Sequence, residues 1–172
     1  MEVNWRTWLA LAITKSLAVE TSRMHVSDVM NPSPVTLPLS ETFGGALHLI
    51  RERRLRVIPV IDDSGVYMGT FDLADVWKTL LPKAVLLGFS SLSDLSFVSD
   101  ALDMLREKLV EADERPIEEF LDCPVEAIHP DTPLKEAVLL FYKHDVEIPV
   151  VERDTNRLVG LVSPWEILDS LR

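Results

Sequence analysis

The sequence has a single cysteine and no apolar stretch long enough to span a bilayer. Cys123 cannot form an internal disulfide, and no residues at metal-ligand spacing surround it. A lone thiol of this kind is typical of a structural cysteine in a reducing compartment, which predicts a cytoplasmic protein. The four histidines are scattered along the chain, so no metal site is expected.

The chain also has fewer basic than acidic residues. The chain has 17 Lys and Arg against 28 Asp and Glu, which gives a formal net charge of -11 at pH 7. Proteins that bind nucleic acid or an anionic membrane need a basic surface, so neither partner is expected. The sequence also lacks a nucleophile elbow or a phosphate-binding glycine loop, which predicts a protein that is not an enzyme and requires no cofactor.

What the sequence does contain is an internal repeat, carried at an offset of roughly 90 residues. Each copy opens on a short lead, continues into an amphipathic segment, and ends on an apolar strand pattern followed by a glycine and a capped helix pattern. The matching blocks are 26–30 (VSDVM) with 117–121 (IEEFL), 57–62 (VIPVID) with 147–152 (EIPVVE), and 69–75 (GTFDLAD) with 160–166 (GLVSPWE).

The hydrophobic patterns predict the element order β-α-β-β-α in each copy. Ser40 is the predicted N-cap of the first helix, and Thr132 with Pro133 marks the start of the equivalent helix in the second copy. The predicted elements are 34–37, 43–55, 57–61, 66–71 and 73–81 in the first copy, and 124–128, 134–146, 148–151, 158–162 and 165–171 in the second.

Four segments follow from these patterns. Residues 1–25 hold an amphipathic helix, 26–81 the first repeat, 82–115 a connector with a helix over 99–112, and 116–172 the second repeat. One repeat is too small to bury a core alone. We therefore expect an α/β (α+β) protein in which the two pseudo-symmetric repeats pack sheet to sheet.

The duplicated blocks resemble a tandem pair of CBS domains, or Bateman module, over about residues 26–80 and 116–172. The resemblance implies a non-catalytic module with two clefts between its repeats. Such modules bind adenosine compounds (AMP, ADP, ATP or S-adenosylmethionine), dimerise, and regulate another protein.

The resemblance also implies ligand-binding residues in the first copy. Arg56 stands where relatives place a cation on ligand phosphates, although it also suits the C-terminal end of a helix. Asp75 occupies the position of the carboxylate that binds the ribose hydroxyls. Asp72 replaces the usual Ser or Thr at the helix N-cap, where its charge would oppose a phosphate.

In the second copy the resemblance places Ser163 near a ligand phosphate and Glu166 on the ribose. The same two residues also form a capping-box pattern, and the two roles are compatible. Val146 stands at the position of Arg56, so this copy has no cation for a phosphate. We therefore expect a phosphorylated ligand to prefer the first copy, and an uncharged or cationic adenosine compound to prefer the second.

The adenine pockets implied by the resemblance are lined by residues of the short predicted strands 34–37 and 124–128 and of the strands that follow the first helices. These residues are Thr36, Val57, Pro59, Ile128, Ile148 and Pro149.

Two functional hypotheses remain open at this point. One is a sensor of an adenosine-containing metabolite, and the other is an interaction module whose clefts are empty and which binds an unidentified protein partner. Both include a homodimer, because the helices that end each copy are predicted to expose apolar side chains, including Trp77, Leu80 and Leu81.

Overall fold

The computed structural model of the chain describes residues 24–81, 101–121, 127–144 and 147–171. The predicted N-terminal helix, the first part of the connector and Cys123 lie outside the described residues. The helices are α1 (Phe43–Arg53), α2 (Leu73–Leu80), α3 (Ala101–Asp113), α4 (Leu134–His144) and α5 (Pro164–Ser170). The strands are β1 (Leu37–Pro38), β2 (Val57–Ile61), β3 (Tyr67–Asp72), β4 (Ile148–Val151) and β5 (Leu158–Val162).

The strands confirm the predicted α/β class. A three-stranded sheet has the order β1-β2-β3, with β1 parallel to β2, and a second sheet pairs β4 with β5 antiparallel. Ile128 adds a parallel bridge to Val150, the counterpart of the β1–β2 pairing. The predicted bounds of β2, β4 and β5 are those observed. No helix in the described ranges is long and apolar enough to cross a membrane.

The chain forms two compact units. The described part of the first, called the α1/α2 unit, comprises residues 35–63, 68–81 and 101–121. The described part of the second, called the α4/α5 unit, comprises residues 24–34, 64–67, 127–144 and 147–171. The lead of the first repeat, residues 26–30, therefore packs with the strands and helices of the second repeat. The lead of the second repeat, residues 117–121, packs with those of the first.

The apolar residue that opens each lead explains this exchange. Val26 is fully buried in the core of the α4/α5 unit, beside Leu134 and Val150. Ile117 is fully buried in the core of the α1/α2 unit, beside Phe43 and Phe71. Burying a side chain of this size stabilises a unit by about 1.5–3 kcal/mol, so each lead contributes substantially to the unit that receives it.

The helix α1 begins after Thr42 rather than after the predicted Ser40. The Thr42 hydroxyl accepts a hydrogen bond from the Gly45 amide at 3.1 Å. Gly44, which the sequence marks only as a weak helix former, leaves space for a neighbour: a Cβ atom there would collide with the carboxylate of Asp113. A negative charge in this place is favourable because it lies at a helix N-terminus.

The helix α4 begins at the first residue of the predicted segment 134–146. Its first residue is Leu134, and Pro133 precedes it. The hydroxyl of Thr132 accepts a hydrogen bond from the His129 amide at 3.1 Å, so it stabilises the turn before the helix. Pro133 was predicted as the first helical residue and instead lies just before the helix, because a threonine followed by a proline fits both a turn and a cap.

The two repeated glycines, Gly69 and Gly160, have different structural roles. Gly69 has a φ of 154°, a conformation that side chains other than glycine rarely adopt. At Gly160 a Cβ atom would lie 2.7 Å from the sulfur of Met30 and 3.0 Å from the carbonyl oxygen of Asn31. Asn31 pairs with Leu161, so this glycine allows the lead to approach β5.

We therefore expect Gly160→Ala to lower the free energy of unfolding by about 1–3 kcal/mol, the usual cost of overpacking. Urea denaturation measures this change. Lys135→Ala, at an exposed site of the same unit, is the control and should change stability by less than about 0.5 kcal/mol. Adding Met30→Ala to Gly160→Ala should recover only part of the loss, because the Asn31 carbonyl remains. Equal stabilities of wild type and Gly160→Ala would contradict this account.

Candidate functional site

The first candidate site lies where β3 runs into α2. Asp72 ends the strand and caps the helix: its side chain accepts from the Asp75 amide at 3.0 Å, and the Asp75 carboxylate accepts from the Asp72 amide at 2.9 Å. The Leu73 amide donates to the Arg56 carbonyl at 3.3 Å. The structure thus brings the three charged residues predicted for the first copy, Arg56, Asp72 and Asp75, to one end of α2.

Asp75 is the most constrained carboxylate of this site. It is 6% exposed, while the Arg56 side chain is exposed. Burial raises the pKa of Asp75 to about 6, and the nearby charge of Asp72 adds to this rise. Hydrogen bonds from the Asp72 amide and from Lys78 oppose the rise, so the carboxyl still ionises near neutral pH.

Lys78 is a member of the site that the sequence reasoning missed. Its ammonium lies 3.2 Å from Oδ1 of Asp75, one turn earlier on α2. Each carboxylate oxygen of Asp75 thus accepts one hydrogen bond, and each retains a second lone pair. The signal was present in the sequence, because an acid and a lysine three residues apart face each other on a helix.

The second candidate site lies where β5 runs into α5. The buried Ser163 is the N-cap, and its hydroxyl accepts from the Trp165 amide at 3.2 Å. Oε2 of Glu166 accepts from the Ser163 amide at 2.9 Å, and the Ser163 hydroxyl donates to the same oxygen. The predicted capping box is therefore confirmed, although the Ser163 hydroxyl accepts from the amide two residues on, whereas the Asp72 side chain accepts from the amide three residues on.

The two sites differ in charge. Arg56 and Lys78 offset Asp72 and Asp75 in the first. In the second, Asp169 occupies the helix position that Lys78 has in the first, three residues after the acid, and it is exposed. The second site therefore carries the negative charges of Glu166 and Asp169 on α5 with no cation on that helix. The negative electrostatic potential of these two carboxylates favours ligands that carry a positive charge.

The six residues predicted to line adenine are buried or half-buried. Pro59 and Pro149 have almost no exposed surface, and Thr36 is half-buried. The others, Val57, Ile128 and Ile148, are buried.

Strand register shows that Thr36 and Ile128 are not equivalent. Leu37 lies opposite Val60, and Ile128 lies opposite Val150, so Ile128 corresponds to Leu37. Thr36 precedes Leu37 by one residue. Thr36 therefore lies just before the first residue of β1 and is not the counterpart of Ile128.

Within the described part of the chain, no group of three or more His, Cys, Asp or Glu side chains is placed to hold a metal ion. The polar groups of the two sites are carboxylates, a hydroxyl and cations around two capped helix starts.

The family model for the CBS domain matches residues 26–76 and 117–172, which together span more than half of the chain. The chain belongs to the CBS-domain family. The curated relatives of this CBS protein include the uncharacterised protein MJ1426 of Methanocaldococcus jannaschii, which is 22% identical over 166 residues, 92% of this chain and 98% of that protein.

Solved CBS structures share the fold. CBSX2 in complex with AMP is 18% identical, with a TM-score of 0.62 over 86% of this chain and 95% of that one. The CBS domain pair of MJ0100, in complex with 5-methylthioadenosine and S-adenosyl-L-methionine, is 19% identical, with a TM-score of 0.57 over 86% and 95%. At these identities the likeness establishes the fold of the CBS pair alone.

Proposed function

We propose that this CBS pair is a non-catalytic regulatory module that binds an adenosine-containing ligand, in the class of AMP, ADP, ATP or S-adenosylmethionine. One observation carries the proposal: each repeat ends a strand in a helix cap and places a carboxylate three residues later, at the start of α2 and of α5. Two CBS structures of the same fold hold adenosine compounds.

The chemistry of the sites suits such a ligand. A carboxylate can accept hydrogen bonds from both hydroxyls of a ribose, and charged acceptors make the stronger bonds. Asp75 retains a lone pair on each oxygen for this purpose, and Arg56 lies at the same end of α2 for a phosphate. The negative charge of Asp72 opposes a phosphate placed directly at the helix start. We therefore expect the positive charge of Arg56 to bind the phosphate of a nucleotide.

Calorimetric titration and thermal shift with AMP, adenosine and S-adenosylmethionine test the proposal. We expect AMP to raise the melting temperature by mass action. Asp75→Ala should weaken AMP binding about tenfold or more, the loss expected from removing a hydrogen bond to a charged group, and Glu166→Ala should weaken it less. Arg56→Ala should weaken AMP binding and leave adenosine binding unchanged.

Two outcomes would contradict this proposal in different ways. Equal losses from Asp75→Ala and Glu166→Ala would remove the distinction between the two sites. If no adenosine compound binds at about millimolar concentration, a free energy of roughly -4 kcal/mol or weaker, the interaction-module hypothesis replaces the sensor hypothesis.

Exposed apolar side chains indicate an interface that either function would use. Trp77 is 56% exposed on α2 and Trp165 is 71% exposed on α5, with Leu81 also exposed. Leu80 was predicted to be exposed as well, but it is 6% exposed and belongs to the core of the α1/α2 unit, so that prediction was wrong. Trp77 and Leu81 lie four residues apart in the α1/α2 unit, and exposed apolar side chains grouped in this way are typical of a protein interface.

We propose that these side chains form a two-fold homodimer in the cytoplasm, whichever ligand the sites take. Light scattering at micromolar concentration should give the mass of a dimer. Trp77→Ser combined with Leu81→Ser should weaken the dimer by tenfold or more, because truncated central residues of an interface cost about 2 kcal/mol or more. Val110→Ser, at an exposed site on α3, is the control. A monomeric wild type would contradict the proposal.

A further inference from the structure

Arginines are concentrated between the last turn of α1 and the start of β2. Residues 51–56 (RERRLR) hold Arg51, Arg53, Arg54 and Arg56, and all four are exposed. The chain as a whole carries a formal net charge of -11, so this cluster reverses the sign of the charge locally. A basic surface of this kind attracts anions.

Arg54 has the most unusual backbone of the four. It follows the last residue of α1, and its φ of 55° and ψ of 35° place it in the left-handed region. Helices often end on a residue in this conformation, but that residue is usually glycine, because a Cβ atom makes the conformation unfavourable. The Ile50 carbonyl accepts from the amides of both Arg54 and Leu55, which fixes the conformation. An arginine here therefore lowers the stability of the fold relative to a glycine.

The contacts of Arg54 do not offset this cost. In the described ranges Arg54 forms no ion pair, whereas its neighbour Arg53 lies 3.8 Å from Glu52. A cation is favourable at the C-terminal end of a helix, but Arg51 and Arg53 already provide two in the last turn of α1. Disfavoured backbone conformations of this kind occur most often at functional positions.

Arg54 lies next to the first candidate site. Two residues later, the Arg56 carbonyl accepts from the amide of Leu73, the first residue of α2. Consecutive Cα atoms are about 3.8 Å apart, so the Cα atoms of Arg54 and Arg56 lie within about 7.6 Å of each other. Two arginine side chains that begin this close together can bind neighbouring groups of one anionic chain.

The charges of the site show what a second arginine adds. Arg56 and Lys78 offset Asp72 and Asp75, so these four side chains carry no net formal charge. Arg56 can bind a single phosphate. A chain of two or three phosphates carries more negative charge than this balance can offset, and the exposed Arg54 is the further cation closest to Arg56 in the sequence.

We propose that Arg54 determines the specificity of the first site by binding the outer phosphates of a nucleoside di- or triphosphate, while Arg56 binds the inner phosphate. The inference rests on the proposed function, because it concerns the ligand of the same site. The first site then prefers ADP and ATP to AMP. The arginine lowers stability and increases the affinity for a longer phosphate chain, a trade-off that is common at binding sites.

Arg54→Gly separates the two effects of this side chain. Glycine adopts the left-handed conformation without strain, so the variant should melt no lower than the wild type and up to about 4 °C higher. Calorimetric titration in magnesium-free buffer compares adenosine, AMP, ADP and ATP. We expect the wild type to bind ATP at least about tenfold more tightly than AMP. Arg54→Gly should weaken ATP binding about tenfold, and change AMP and adenosine binding by less than about twofold.

Three further variants complete the comparison. Asn156→Gly replaces the other left-handed residue that is not glycine, with a φ of 53°, and should leave all four affinities unchanged. Arg53→Ala removes an exposed positive charge one residue away, and should weaken ATP binding by less than about threefold because exposed charges are screened. Arg54→Lys keeps the charge and should retain more of the ATP affinity than Arg54→Gly.

The outcomes distinguish this inference from the proposed function. If AMP and adenosine bind, but the wild type binds ATP no more tightly than AMP, the proposed function stands and the role of Arg54 is overturned. An unchanged ratio of ATP to AMP affinity in Arg54→Gly leads to the same conclusion. Equal losses of ATP, AMP and adenosine binding would show that Arg54 supports the shape of the site and does not select the phosphate chain. If no adenosine compound binds the wild type, both proposals fail.

Discussion

Phe43→Ala is expected to lower the free energy of unfolding by about 3–5 kcal/mol, the range for removing a buried aromatic ring from a core. Phe43 is fully buried at the start of α1. Its ring lies 5.5 Å from that of Phe71 in an edge-on arrangement and 4.7 Å from that of Phe120. The substitution therefore leaves a cavity between a helix, a strand and the exchanged lead.

The matched variant is Leu134→Ala, at the equivalent position of the other unit. Leu134 is also fully buried, and its removal should cost about 2–5 kcal/mol. Urea denaturation measures the loss in free energy of unfolding of each variant, and hydrogen exchange shows which elements lose protection. Exchange should rise in α1 and β3 for Phe43→Ala, and in α4 and β4 for Leu134→Ala. A cost below about 1 kcal/mol for Phe43→Ala would show that the core closes around the missing ring.

Asp75→Asn is expected to remove a pH dependence of stability worth about 1–3 kcal/mol. Burial raises the pKa of Asp75 to about 6 in the folded state. The folded chain then binds the proton more tightly than the unfolded chain does, so this group stabilises the fold as the pH falls from about 6 toward 4. Conversely, it makes the wild type less stable as the pH rises through that window.

The difference in stability between wild type and Asp75→Asn isolates this effect from all other titrating groups. At about pH 7.5 the variant should be at least as stable as the wild type, because a buried charge has been replaced by a neutral amide; at about pH 4.5 the wild type should gain relative to it. Glu166→Gln, at the equivalent and more exposed position, is the matched control variant. Parallel pH profiles of wild type and Asp75→Asn would contradict the burial of this carboxylate.

The repeat was enough to predict the order of elements and the bounds of three of the strands. β2, β4 and β5 begin and end where the patterns of branched apolar residues do, because such runs favour buried strands whatever surrounds them. The capping boxes at Asp72 and Ser163 could also be predicted from the sequence, since they depend only on residues three apart. Family membership followed from the same local blocks.

The tertiary structure alone decided which parts of the two repeats pack together. The leads at Val26 and Ile117 look alike in sequence, and either could fill either core; only the three-dimensional path of the chain assigns each to the opposite unit. The same holds for Leu80, whose burial depends on α3, and for Asp75, whose pKa depends on burial at the start of α2. Local patterns determine elements because backbone preferences act over a few residues, whereas burial and pairing arise from contacts between segments far apart in the chain.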